Sequence, residues 1–191
     1  MGDWWVTTGA GALRYSRCTL EELAHARPKN IYTTRDGLSG NDVFRLFEDS
    51  RGDIWISSVG RPGAGVAKWV RSTETIHPYS TADGISDSTP SAFCEDRAGN
   101  LWIGFYDGGL SRFAAGRFTS FTEADGLPAG FIRGLFTDSK GRLWWQPGTE
   151  AWRASMILAP TIRVSAPIQP PMGFRAIRLR ALLKINGETS M

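Results

Sequence analysis

Two cysteines and two histidines in 191 residues leave little material for metal or disulfide chemistry. Cys18 and Cys94 stand alone, and no Cys-x-x-Cys or second histidine accompanies His25 or His77, so the ligand spacing of a zinc site is missing. Two thiols also fall short of the framework that staples small secreted domains. Cys94 sits in the apolar run Ala92-Phe93-Cys94, where a small buried thiol is the plain reading and half of a Cys/His nucleophilic pair the sharper one. No stretch of 18 apolar residues occurs, which excludes a membrane-spanning helix. Met1 to Trp5 has neither the basic nor the apolar region of a signal peptide. Charge is short too: up to Ser155 there are 17 basic against 18 acidic residues, and beyond it 5 against 1. The basic balance therefore belongs to the tail, and the body offers no electrostatic footprint for nucleic acid.

What is present is aromatic and glycine-rich: 8 Trp, 10 Phe and 22 Gly, with 41% of residues hydrophobic, enough to bury a real core. Self-similarity organises it. Glu48-Asp49-Ser50-Arg51-Gly52-Asp53-Ile54-Trp55-Ile56 returns as Glu95 to Ile103 and again as Thr137 to Trp145, each reading Asp-x-x-Gly-x-x-Trp. A shortened copy, Gly2-Asp3-Trp4-Trp5-Val6, opens the chain, so the tryptophans fall at 5, 55, 102 and 144. A second marker keeps step ahead of the first: Asp36-Gly37-Leu38, Asp83-Gly84-Ile85 and Asp125-Gly126-Leu127.

The residue types define one unit. Val43 to Glu48, Ser91 to Glu95 and Phe131 to Thr137 are short apolar-rich runs. Each meets an Asp-x-x-Gly turn, where Asp bonds the turn backbone and Gly takes a positive φ. The returning triplets Ile54-Trp55-Ile56, Leu101-Trp102-Ile103 and Leu143-Trp144-Trp145 are continuously apolar, as strands are when both faces of the sheet are covered. Val66 to Trp69 and Leu110 to Phe113 supply a third strand; Thr75 to Tyr79 and Arg117 to Phe121 a fourth, with Pro78 placing it at an edge. Four short strands per repeat, sandwiched between neighbours, make the blade of a β-propeller. A β-sandwich is the competing fold, but it needs no fixed period.

Here a resemblance becomes specific. Asp-Gly-Leu, then Glu-Asp-x-x-Gly-x-Leu-Trp-Ile-Gly, then Gly-Gly-Leu-x-Arg-Phe, as in Asp96 to Phe113, resembles the two-component regulator propeller repeat. The match covers residues 1–155 and departs at Pro147 to Trp152, where Gly-Gly-Leu is expected. It implies an all-β chain, about three four-stranded blades plus a fragment of a partial β-propeller, with an irregular tail. It further implies the sensor portion of a hybrid histidine kinase or related regulator. The partners implied are a small-molecule or glycan ligand, further blades, and a kinase or other output domain on missing chain. The location implied is periplasmic or extracytoplasmic, without membrane contact by this segment. No cofactor and no catalytic constellation is expected. The alternatives are a carbohydrate-active propeller enzyme, a lyase or hydrolase, and a protein-interaction scaffold. Sialidase Asp-boxes space Asp and Gly differently, and quinoprotein tryptophan motifs are longer.

Residues 156–191 break the pattern: no Trp or Tyr, four of the ten prolines, and basic residues scattered between Phe174 and Ile185 rather than on one helical face. They read as a non-repeat basic tail, truncated or frame-shifted. Most marked residues have structural work: Trp55, Trp102 and Trp144 as core between blades, Asp49, Asp96 and Asp138 as turn acceptors rather than calcium ligands, and Asp36, Asp83 and Asp125 as turns between blades. Loop residues outside the repeat pattern, Arg61, Tyr106 and Asp107, are the candidates for ligand contact, because loops on a rigid frame carry recognition.

Overall fold

The computed structural model describes residues 2–60, 63–86, 89–127 and 129–148, with three later strands at 153–158, 161–167 and 182–184. The chain forms two compact units, divided between Tyr79 and Ser80. The first unit holds two four-stranded antiparallel sheets. One is built from β1 (Trp4–Thr8), β2 (Gly11–Tyr15) and β3 (Asn30–Tyr32), with a one-turn helix, α1 (Leu20–Leu23), in the β2–β3 connection. The other is the meander β4 (Val43–Glu48), β5 (Ile54–Ser58), β6 (Gly65–Val70) and β7 (Thr75–Tyr79). The second unit repeats this meander in β8 (Pro90–Glu95), β9 (Leu101–Phe105), β10 (Leu110–Ala114) and β11 (Arg117–Phe121). It adds a sheet of β12 (Ile132–Thr137), β13 (Leu143–Pro147), β14 (Arg153–Leu158) and β15 (Thr161–Pro167). Strand β14 runs across position 155, where the repeat pattern lapses. Strand β16 (Leu182–Lys184) pairs with β1 in the first sheet, where β4, β8 and β12 stand in the others. Pro78 lies on β7, an edge strand whose ladder partner among the described residues is β6.

Burial follows the apolar triplets. Every residue of β5 and of β9 is buried. In the first unit Trp5, Ala12 and Tyr32 pack against Leu46, Ile54, Ile56 and Trp69 of the second sheet, with Leu38 between them. Trp5 stacks on Tyr32 at 5.4 Å and meets Trp69 edge-on at 5.0 Å. In the second unit Ala92, Cys94, Trp102 and Leu110 meet Ile132, Leu143 and Trp145, with Leu127 in the corresponding place. Burial pushes the Cys94 thiol up to about 11, against help from Thr137, so the small-hydrophobe reading of this cysteine holds.

The third and fourth sheets approach closely. A Cβ on Gly104 would come within 2.5 Å of Ile132 Cγ2 and 3.0 Å of its Cβ, a branched side chain with no free rotamer to escape into. Gly104→Ala should therefore cost about 1–3 kcal/mol by overpacking, measured by urea unfolding. A loss under about 0.5 kcal/mol, the level of a neutral surface change, would mean that the blades are spaced more widely than this.

Candidate functional site

The two repeated motifs lie at opposite ends of each blade, because turns alternate in an antiparallel meander. At one end Asp-x-x-Gly closes the hairpin between the first two strands of a repeat. Asp96 Oδ1 accepts the backbone N–H groups of Ala98 and Asn100 at 2.9 Å, and Oδ2 accepts the Trp102 indole N–H at 2.9 Å. Asp49 with Trp55 and Asp138 with Trp144 repeat the arrangement at 3.0 and 2.9 Å. The spacing of the motif is thus one device: a carboxylate that orders the turn also satisfies the buried indole six residues on. Burial alone would raise the Asp96 carboxyl, but the Trp102, Asn100 and Ala98 donors outweigh it and hold it below the usual carboxylate range. Asp138 is held down likewise by Trp144, Arg142 and Lys140.

At the other end lie the connectors. Thr33, Ser80 and Thr122 each cap a 310 turn whose third residue, Asp36, Asp83 or Asp125, reaches back to the cap backbone. The glycine that follows is left-handed, at φ 106°, 85° and 92°. Leu38, Ile85 and Leu127 are then turned inward and buried. The Asp-Gly-Leu marker is accordingly structural throughout.

Between these fixed points lies a set of equivalent positions whose side chains the repeat does not specify. The edge strands β4, β8 and β12 each carry a bulge, at Phe44, Ser91 and Arg133. Beyond it the pairing resumes through one backbone bond per blade: Val59 N–H to Asp42 O, Tyr106 N–H to Thr89 O, and Gly148 N–H to Phe131 O. The geometry repeats while the side chains do not. Phe44, Tyr106 and Arg133 are exposed, whereas Ser91 is buried and donates to Gly104 O or Ile132 O. Of the three loop residues expected to contact ligand, Tyr106 and Asp107 fall here together, and Arg61 lies outside the described residues. Tyr106 is 48% exposed and stacks on Phe131 at 4.1 Å, so the second unit presents a braced aromatic surface. Sequence reasoning passed over Phe44, Phe131 and Arg133; the signal was available, as positions where the three repeats agree in spacing and disagree in chemistry. Beside Asp107 a cleft of about 620 Å3 opens between the connector before β8, the β9–β10 loop and the connector after β11. Among the described residues no group of three His, Cys, Asp or Glu could hold a metal ion, and no helix is long and apolar enough to cross a membrane.

Stacked four-stranded blades of this kind define the β-propeller class, and solved structures of low sequence identity share the fold. An extracellular domain ascribed to a hybrid two-component system of B. thetaiotaomicron matches at 19% identity and a TM-score of 0.67, covering 88% of this chain and 23% of that one. A second such domain from the same organism matches at 18% and 0.62, over 75% and 19%. Virginiamycin B lyase from Staphylococcus aureus matches at 14% and 0.59, over 90% and 57%. The chain spans about a fifth of the two extracellular domains. The model of the two-component regulator propeller family matches residues 37–60 and 84–107. No curated protein matches this chain.

Proposed function

We propose that the chain is part of the ligand-sensing propeller of a two-component signalling protein, working outside the cytoplasm and passing its state to a histidine kinase or other output domain. The same fold serves a lyase, so the fold does not choose between sensing and catalysis. The reading is carried by the matched regulator repeats, and the repeated connector-end geometry with unrepeated, exposed side chains supports a recognition surface there. A ligand at that end is touched by one or two groups from each of several blades, so its affinity depends on the complete set. A small molecule or glycan is the ligand class that this reading takes.

The test is a glycan array probed with the full-length gene product and with this chain. Specific binding is expected of the former, and Tyr106→Ala should weaken it about tenfold or more, with a thermal midpoint lowered by no more than the loss of one aromatic stack, as loss of a rigid aromatic contact does. Binding that is indifferent to Tyr106 would remove the connector end of this unit from the site. A full-length product that hydrolyses or eliminates its glycan would replace sensing by catalysis.

A further inference from the structure

Each sheet sets one cation on its repeat tryptophan. Arg14, Lys68 and Arg112 stand directly opposite Trp5, Trp55 and Trp102 in the strand ladders of the first three sheets. Their charged ends lie 5.9, 5.3 and 5.7 Å from the ring centres. In the fourth sheet Ala154 takes that ladder position, and Arg142, two residues before Trp144, lies over the ring at 5.1 Å instead. A cation on an indole face is attractive by itself, but a charge drawn partly out of water also calls for a counter-charge.

Three of the four have one. Arg14 pairs with Asp3 and Glu74, Lys68 with Asp53 at 2.6 Å, and Arg142 with Asp138 at 2.6 Å. Arg112 has no carboxylate on it among the described residues, and its Nε is buried without a hydrogen-bond acceptor. The sequence shows the cause. Asp3 and Asp53 stand two residues before their tryptophans, whereas Asn100 holds that place before Trp102 and turns its amide to Asp96 Oδ2 at 3.0 Å. The charge is not sealed in, since Arg112 is only half-buried. Across the ladder from it stands Thr119, and Arg117 lies two positions along β11 on the same face of the sheet. Both are exposed. Two guanidinium groups around a hydroxyl, with no carboxylate paired to either among the described residues, make a seat for an incoming carboxylate.

We propose that this face of the third blade docks an acidic segment of a partner protein, whose Asp or Glu side chain supplies the counter-charge that Asn100 does not. A side-chain carboxylate is what each of the other three cations receives. The exposed face of an outer strand suits a segment laid across it. This surface lies toward the Asp-x-x-Gly end of the blade, away from the connector end proposed for the ligand, so the two readings stand or fall separately.

The experiment is an NMR titration of the isotope-labelled full 191-residue chain with hexaglutamate, hexaglutamine and glutarate. Hexaglutamate should shift the Arg112 Nε–H and Thr119 amide resonances, bind at least about fivefold more tightly than glutarate and weaken as salt is raised, while hexaglutamine should not bind. Arg112→Met, which keeps an unbranched stem on Trp102, and Arg117→Gln should each weaken hexaglutamate about three- to fivefold with unchanged circular dichroism, and Arg112→Lys less. Asn100→Asp is the sharper test. Asp49 and Asp53 show that the second sheet accommodates both carboxylates, one on its tryptophan and one on its cation. That variant should therefore raise the thermal midpoint and weaken hexaglutamate by a similar factor. Binding as tight to Asn100→Asp and Arg112→Met as to the parent, or none up to about ten millimolar, would overturn the seat. Equal binding of glutarate would replace the partner protein by a small acid.

Discussion

Trp102→Ala should destabilise the protein by about 3–5 kcal/mol, as large-to-small changes in a packed core do. The side chain is 3% exposed and fills the space between the third and fourth sheets beside Leu143 and Trp145. Phe121 stacks on it, and the Arg112 guanidinium lies 5.7 Å from its ring centre. Trp102→Phe separates the contributions: it keeps a ring in the core and loses the indole N–H that Asp96 accepts, so about 1–2 kcal/mol is expected from the hydrogen bond and the smaller ring. Chemical denaturation of the three proteins measures both. A cost below about 1 kcal/mol for the alanine variant would place Trp102 on the surface and make the blade register wrong.

Asp96→Ala should cost about 2–4 kcal/mol, because it leaves the Ala98 and Asn100 amides and the buried Trp102 indole without their acceptor. Asp96→Asn should cost less: its oxygen can still take the two amides, while its NH2 faces the indole N–H donor to donor. The same bonds predict an acid limb. Asp96 and Asp138 are held below the ordinary carboxylate value in the folded protein. Their contribution is therefore complete above the unfolded value of about 4 and is lost as pH falls through the folded values. An alkaline limb has the opposite origin: burial raises Cys94 from 9.0 to about 11, so its contribution is whole below about pH 9 and gone as pH rises past 11. Thermal midpoints recorded from pH 2 to 11 should fall at both ends, with the acid slope shallower in Asp96→Asn. An unchanged acid slope in that variant would mean that Asp96 is not the group being protonated.

In the body of each blade the repeated carboxylates are already engaged. Asp49, Asp96 and Asp138 are occupied by their own turns and tryptophans, and Asp36, Asp83 and Asp125 by their caps. Tyr106, Asp107, Phe131 and Arg133 stand at positions that these turns and caps do not use.

The sequence by itself determined the blade. The period of the Asp-x-x-Gly-x-x-Trp and Asp-Gly-Leu markers, the continuous triplet Leu101-Trp102-Ile103 and the edge proline Pro78 each follow from local chemistry, from turn acceptors, left-handed glycine and the alternation of strand faces. Each is written within a few residues of the structure it makes. Three things needed the tertiary structure. The sequence shows a turn role for Asp96 and a core role for Trp102 but not the bond between them, because whether an indole N–H turns toward a carboxylate is set by the hairpin's register rather than by either residue. The stacking of Tyr106 on Phe131 joins two repeats 25 positions apart, and only blade-to-blade spacing, fixed by Gly104 against Ile132, brings the rings to 4.1 Å. The cleft at Asp107 is walled by the connector before β8, the β9–β10 loop and the connector after β11, segments distant in sequence that only the folding of the blade brings together.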